Sequence, residues 1–296
     1  MSRALDWNRE GAIWPHRKAS SFVEAGGARW HVQRMGDPSQ PTLLLLHGTG
    51  ASVHSWRGLM PLLAEQFDVV AADLPRHAFT TGHPPTAMAL PTMASAIAKL
   101  TAHLDIKPAM VVGHSAGAAL ALQLALDHGY QGPIVGLNSA LRPFPGPAAQ
   151  IFPAVAKLLF VNPLVPRIFS AAAGFGAEAE RFIYRSTHSQ IDEAGLACYS
   201  ELLRNPRHTQ GALAMMANWD LPTLKERMGA ISNPVLLVHS DKDNAIPLAW
   251  AREAQGWLPN AQLEVFKGLG HLSHEEKPDL AARLISEFAT SSAMVG

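Results

Sequence analysis

Apolar and polar positions follow two alternating rhythms along this chain. Short apolar-rich stretches predict strands at 42–46, 67–72, 109–112, 133–137, 234–239 and 262–266, and the run at 42–46 is continuous, the pattern of a strand buried on both faces. Between them, apolar residues recur three and four positions apart, the spacing of an amphipathic helix. One such helix is predicted over 54–66, with Trp56, Leu59, Leu62 and Leu63 on its apolar side. A second covers 91–104, with Met93, Ile97, Leu100 and Leu104 in line; others follow Gly117 and occupy 248–257 and 277–288. Towards the N-terminus, 22–25 and 28–35 flank Gly26-Gly27, a natural hairpin turn. In the second of these strands Trp30, Val32 and Arg34 alternate with His31, Gln33 and Met35, which predicts one covered face and one partly wet face. Residues 1–20 show no period and are expected to lie as an arm on the domain. Strands alternating with helices imply a largely parallel α/β sheet with helices on both faces. In such sheets the ligand site lies beyond the carboxyl ends of the strands.

The rhythm breaks between 141 and 221. Strand patterns vanish there, and Pro-punctuated segments of helical spacing appear at 148–160, 164–172, 177–185, 193–204 and 209–217. A block this long is no loop in a compact domain. It is expected to be an inserted helical cap, 141–221, on a core built from 1–140 and 222–296. Its apolar composition suits either a cap packed on its own domain or a membrane-facing surface. The cap is favoured, because large exposed apolar patches are rare.

Charge narrows the partners. Among 296 residues, 24 Lys and Arg balance 24 Asp and Glu with no basic tract, which argues against nucleic acid. Cys198 stands alone, without a disulfide partner or metal-type spacing, and reads as a small buried apolar residue; no metal or cofactor is expected. The N-terminal stretch has no apolar signal region, and no uninterrupted run of about 18 apolar residues exists, so no transmembrane span is expected and the cytoplasm is the expected location.

The chemistry centres on Gly113-His114-Ser115-Ala116-Gly117, between an apolar strand and an Ala/Leu-rich helix. Strand, G-x-S-x-G and helix together make a nucleophile elbow, a sharp turn that lifts the serine above the strand end. A serine hydroxyl needs a base within hydrogen-bond reach, and the base needs an acid to fix its tautomer. His271, in Gly268-Leu269-Gly270-His271, and Asp243, in Ser240-Asp241-Lys242-Asp243, supply these just past the last two strands, in the order Ser, Asp, His. Asp241 competes with Asp243 and either can cap the turn; the lead into Ile246-Pro247 favours Asp243. His274 competes with His271, but its place at a Glu-rich helix start predicts a surface histidine. An oxyanion needs preorganised donors: the Ala116 N–H is one, and Thr49, in His47-Gly48-Thr49-Gly50, offers the second. Gly48 and His114 are expected to line the substrate pocket, while His188 and His208 read as surface or satisfied histidines rather than metal ligands.

These motifs resemble the α/β-hydrolase superfamily across nearly the whole chain. A narrower resemblance, to the family of magnesium chelatase accessory proteins of bacteriochlorophyll biosynthesis, rests on Leu5-Asp6-Trp7, residues 22–36 and 45–56, Asn162-Pro163-Leu164-Val165-Pro166-Arg167 and Met215-Met216-Ala217-Asn218-Trp219-Asp220-Leu221. It implies a role in photosynthesis through Mg-tetrapyrrole synthesis, with a tetrapyrrole and magnesium chelatase subunits as partners, and supplies no reaction. Three readings stay open: a serine hydrolase acting on an ester or acyl group of an apolar substrate; a non-catalytic, chaperone-like porphyrin binder; and a C–C hydrolase or cofactor-free peroxidase using the same triad. One stretch departs from the superfamily. Where Gly-His-Gly is usual, this chain has Arg76-His77-Ala78. Side chains restrict φ where glycine does not, which leaves the path of this loop open and adds the Arg76 charge near the site entrance.

Overall fold

The structure, a computed structural model, describes residues 3–142 and 177–293. Its eight-stranded sheet has the order β1-β2-β4-β3-β5-β6-β7-β8. β1 (Ser20–Ala25) and β2 (Ala28–Met35) form the hairpin, and β2 lies antiparallel on β4 (Asp68–Ala72). β3 (Thr42–Leu46), β4, β5 (Met110–His114), β6 (Ile134–Leu137), β7 (Val235–Ser240) and β8 (Ala261–Phe266) run parallel. The predicted mostly parallel sheet is therefore present, each strand within two residues of its expected ends.

Side chains from neighbouring positions of β3 feed opposite faces, as strand geometry requires. Leu44 and Leu46 join Trp30, Val70 and Val111 under α2 (Leu90–His103) and α3 (Ala116–His128). Leu43 and Leu45 join Trp56, Val69 and Val112 under α1 (Leu59–Leu63) and a C-terminal helix. Each such buried side chain contributes about 1.5–3 kcal/mol of transfer free energy.

Two expectations need correction. The helix predicted over 54–66 is split into a tight turn, Val53–Trp56, and the short α1. All four turn residues are buried, so no polar face exists to sustain a helical period, and Pro61 adds no backbone donor. On β2, both faces are covered at its centre: His31 and Gln33 are buried along with Trp30 and Val32. The N-terminal arm does this, since Trp7 packs 4.6 Å from the His31 ring and Gln33 donates to the Pro15 carbonyl at 2.8 Å.

Between β6 and β7 come α4 (Ala177–Thr187), α5 (Glu193–Arg204), α6 (Pro206–Asn218) and α7 (Leu221–Arg227). The expected helices at 148–160 and 164–172, and the motif at 162–167, lie outside the described residues. α7 was not predicted; the Asp220 carboxylate, accepting the Thr223 N–H at 3.1 Å, and Pro222 start it. The chain then closes with α8 (Leu248–Gln255), α9 (Ser273–Glu276) and α10 (Pro278–Ala293). No helix among the described residues is long and apolar enough to cross a membrane.

Candidate active site

β5 turns into α3 at Ser115, whose φ of 51° and ψ of −113° lie outside the ordinary regions for a residue with a Cβ. Such a conformation costs about 1–3 kcal/mol and needs support from its surroundings. Support comes from the Ser115 N–H donating to the Leu137 carbonyl at 2.9 Å, and from its own carbonyl accepting the Ala140 N–H at 3.1 Å. Close approach explains the flanking glycine: a Cβ on Gly117 would overlap the Leu46 carbonyl of β3. Ser115 thus stands half-buried at the carboxyl edge of the sheet, and the Ala116 N–H opens α3 where no intrahelical acceptor exists.

Asp243 and His271 meet at the ends of β7 and β8. The His271 Nδ1–H donates to Asp243 Oδ2 at 2.7 Å, which leaves Nε2 as the ring nitrogen able to act as a base. Asp243 Oδ1 accepts the Ala245 and Ile246 N–H groups, each at 2.8 Å, and Oδ2 also accepts the Asn138 amide at 2.8 Å. Burial pushes the Asp243 pKa up, but the hydrogen bond and charge of His271 together with these donors outweigh it and hold the carboxylate below its usual range. Asp241 instead caps the exposed turn, accepting the Gly268 N–H at 2.7 Å. Among the described residues no hydrogen bond joins the Ser115 hydroxyl to His271.

His274 is not on the surface. It is fully buried, its Nε2–H donating to Ser55 Oγ at 2.8 Å, and its ring lies 4.4 Å from that of His114. The reason is α9, which turns inward so that Ser273 and His274 pack beneath the site. His114 donates from Nε2 to the His271 carbonyl at 3.0 Å, and burial followed by the His271 charge pushes its pKa down to about 3. It therefore stays neutral and braces the loop that carries His271.

Gly48 lies against the elbow: a Cβ there would stand 3.1 Å from Ser115 Cβ and 2.8 Å from His114 Nδ1. Half-buried Thr49 donates its hydroxyl to the Met215 sulfur of α6 at 3.4 Å. His208 on α6 accepts the Ala78 N–H at Nδ1 and donates from Nε2 to the Gly50 carbonyl, both at 3.0 Å. Both its nitrogens are engaged, so it clamps two loops at once and has none left for a metal; half-buried His188 lies in the segment after α4. Among the described residues no group of three or more His, Cys, Asp or Glu side chains is placed to hold a metal ion. The loop at 76–78 keeps a glycine-like path without glycine, with φ of 62° at Arg76 and 39° at Ala78.

Sequence reasoning missed what holds His271 from behind. Thr187, the last residue of α4, and Ser189, just after it, accept the His271 N–H (2.8 Å, at the Thr187 carbonyl) and the Leu272 N–H (2.9 Å, at Ser189 Oγ). Next to them, Glu275, its side chain fully buried, accepts from the Arg57 guanidinium, from Tyr199 OH of α5 at 2.8 Å and from Ser55 OH at 2.9 Å. Arg57 also pairs with Asp192 at 2.8 Å. Asn138 was visible only as the polar residue ending a buried strand; its left-handed φ of 46° and its bond to Asp243 mark it as a positioning residue.

Comparison with known proteins agrees with this architecture. Residues 41–278 match the family model described as the alpha/beta hydrolase fold. The chain is 40% identical over 283 residues, 94% of its length and 96% of the relative's, to the magnesium-chelatase 30 kDa subunit of Rhodobacter capsulatus. Among solved structures, the enol-lactonase from Burkholderia xenovorans LB400 superposes with a TM-score of 0.73 at 19% identity, covering 91% of this chain and 100% of that one. The thermophilic esterase from Thermogutta terrifontis gives 0.73 at 20% identity, with 92% and 98% covered. With its sheet order, its elbow and a family match over most of its length, the chain belongs to the α/β-hydrolase fold family.

Proposed function

We propose that this protein is a serine hydrolase acting in the cytoplasm on an ester or similar acyl group of a largely apolar substrate. Ser115 is the nucleophile, His271 its general base and Asp243 the acid that orients the base. His271 Nε2 takes the Ser115 proton as Oγ attacks the acyl carbon, and returns it to the departing alcohol. The tetrahedral oxyanion is held by the N–H groups of Ala116 and Thr49, and Gly48 and His114 line the pocket. The 141–221 insertion serves as the cap that excludes water and receives the apolar part of the substrate. One observation carries the reading: a buried His271–Asp243 hydrogen bond of 2.7 Å beside a strained serine at a helix N-terminus. The hydroxyl–imidazole contact forms once substrate is bound, as is common for catalytic hydrogen bonds. A fluorophosphonate is expected to label the wild-type protein and to leave Ser115→Ala unlabelled; an unlabelled wild type refutes the assignment.

The name of the R. capsulatus relative favours a second reading, in which the protein assists magnesium chelatase in bacteriochlorophyll synthesis without turning over a substrate. Complementation of a pigment-deficient strain lacking the orthologue separates the two. Restoration by wild type alone ties the pathway to Ser115, whereas restoration by Ser115→Ala assigns the role to binding.

A further inference from the structure

Among the described residues two arginines are almost equally buried, and only one of them is neutralised there. Arg57, 9% exposed, is flanked by Glu275 and Asp192. Arg76, 8% exposed, meets only neutral acceptors among the described residues: the His83 carbonyl at 3.1 Å from one terminal nitrogen and the Gln210 side-chain oxygen at 2.8 Å from the other. Its Nε–H is buried without an acceptor, and so is Nε2 of His83. Burial, followed by the like charge of Arg207, pushes the Arg76 pKa down. Leaving a buried charge uncompensated costs several kcal/mol, and its backbone strain comes on top. Among the described residues no acidic side chain offsets the cost of the charge.

The location supplies a use. Gln210 and Gly211 of α6 seat on Arg76, and a Cβ on Gly211 would overlap its carbonyl. His208 and Met215 of the same helix hold Gly50 and Thr49. Arg76 therefore borders the candidate oxyanion loop across one helix.

We propose that Arg76 is the anchor of a carboxylate-binding subsite: the ligand carries a free carboxylate that accepts the Arg76 Nε–H, with His83 beside it. The proposal rests on the hydrolase reading in that this carboxylate belongs to the same molecule as the scissile acyl group. Because it concerns binding, it is tested without turnover. Ser115→Ala protein is titrated by calorimetry with monomethyl glutarate, an anion at neutral pH, and with its neutral counterpart dimethyl glutarate. The monoester is expected to bind about tenfold more tightly, the worth of about 1.4 kcal/mol. Adding Arg76→Gln should erase the preference, while Arg76→Lys, which keeps the charge, should retain part of it. Equal binding of the two esters, a preference that survives Arg76→Gln, or binding of neither overturns the subsite. Failure of the hydrolase reading shows separately, as absent fluorophosphonate labelling of the wild type.

Discussion

Lowering the pH from about 7.5 to about 5.5 titrates the histidines of the unfolded chain, near 6.5, while three in the folded protein remain neutral. Burial, in each case the largest cause, pushes His77 down to about 4, His114 to about 3 and His208 to about 3. The lower end of the window stays above all three folded values, so only the unfolded state gains protons. Where the unfolded state binds more protons, stability falls with falling pH. The stabilisation is thus fully present above the unfolded pKa and is lost as pH drops towards the folded values. Across the window each histidine loses about 1.4 kcal/mol, so these three alone contribute about 4 kcal/mol, and His47, His54, His83 and His274, also lowered by burial, add to it. At about 2.1 cal/mol/K per residue, 296 residues give an unfolding entropy of about 0.6 kcal/mol/K, so Tm should drop by at least about 6–7 °C. Urea unfolding followed by circular dichroism at constant ionic strength measures the difference. Stabilities that agree within about 1 kcal/mol at the two pH values would refute the reasoning. His208→Gln isolates one contribution, since an amide can accept from Ala78 and donate to Gly50 as the ring does. It should remove about 1.4 kcal/mol of the pH dependence.

Other substitutions probe the remaining supports. Glu275→Gln leaves the buried Arg57 with exposed Asp192 alone and should cost about 3–5 kcal/mol by urea titration, whereas replacing Arg57 and Glu275 together by Met and Leu should recover much of that loss. Gly117→Ala forces α3 away from the Leu46 carbonyl and should destabilise by about 1–3 kcal/mol or more, read as a lower urea midpoint. Asn138→Ala removes one donor to Asp243 and should lower kcat on a 4-nitrophenyl ester about tenfold with KM little changed; an unchanged kcat would mean that the backbone donors alone hold the carboxylate. Ser189→Ala frees the Leu272 N–H beside the base and should also act on kcat rather than KM, while an effect on KM alone would make Ser189 a substrate contact.

What could be read in advance divides along a physical line. The sheet was legible because apolar runs such as 42–46 and 133–137 are local signals, and each strand's role follows from its own residues. Ser115, Asp243 and His271 were legible as candidates because each follows such a run at its carboxyl end. The polar supports were not. Ser189 and Thr187 lie more than 80 positions from the backbone that they hold, and no local pattern encodes that pairing. His274 was misjudged because the Glu residues after it suggested solvent, yet the Glu275 side chain is itself buried, matched to an arginine 218 positions away. On β2 the alternation was real, but a distant arm covered the face expected to be wet.

The loop at 76–78 bears on ligand choice beyond Ser115, Asp243 and His271. A chain that lost its glycines there could have relaxed to negative φ, yet Arg76 and Ala78 both remain in the left-handed region, at about 1–2 kcal/mol each. The bond from the Ala78 N–H to His208 accounts for this, because α6 dictates where the loop must run. The same helix touches Thr49 and Gly50, so the position of one side of the candidate oxyanion hole and the presentation of Arg76 are set by a single element. The elbow and the Asp243–His271 pair sit at strand ends and carry no information about the substrate. The surface where α6 meets these two loops is where this chain departs from the superfamily, and it is there that substitutions should change which ligand is accepted while leaving Ser115 reactive to a fluorophosphonate.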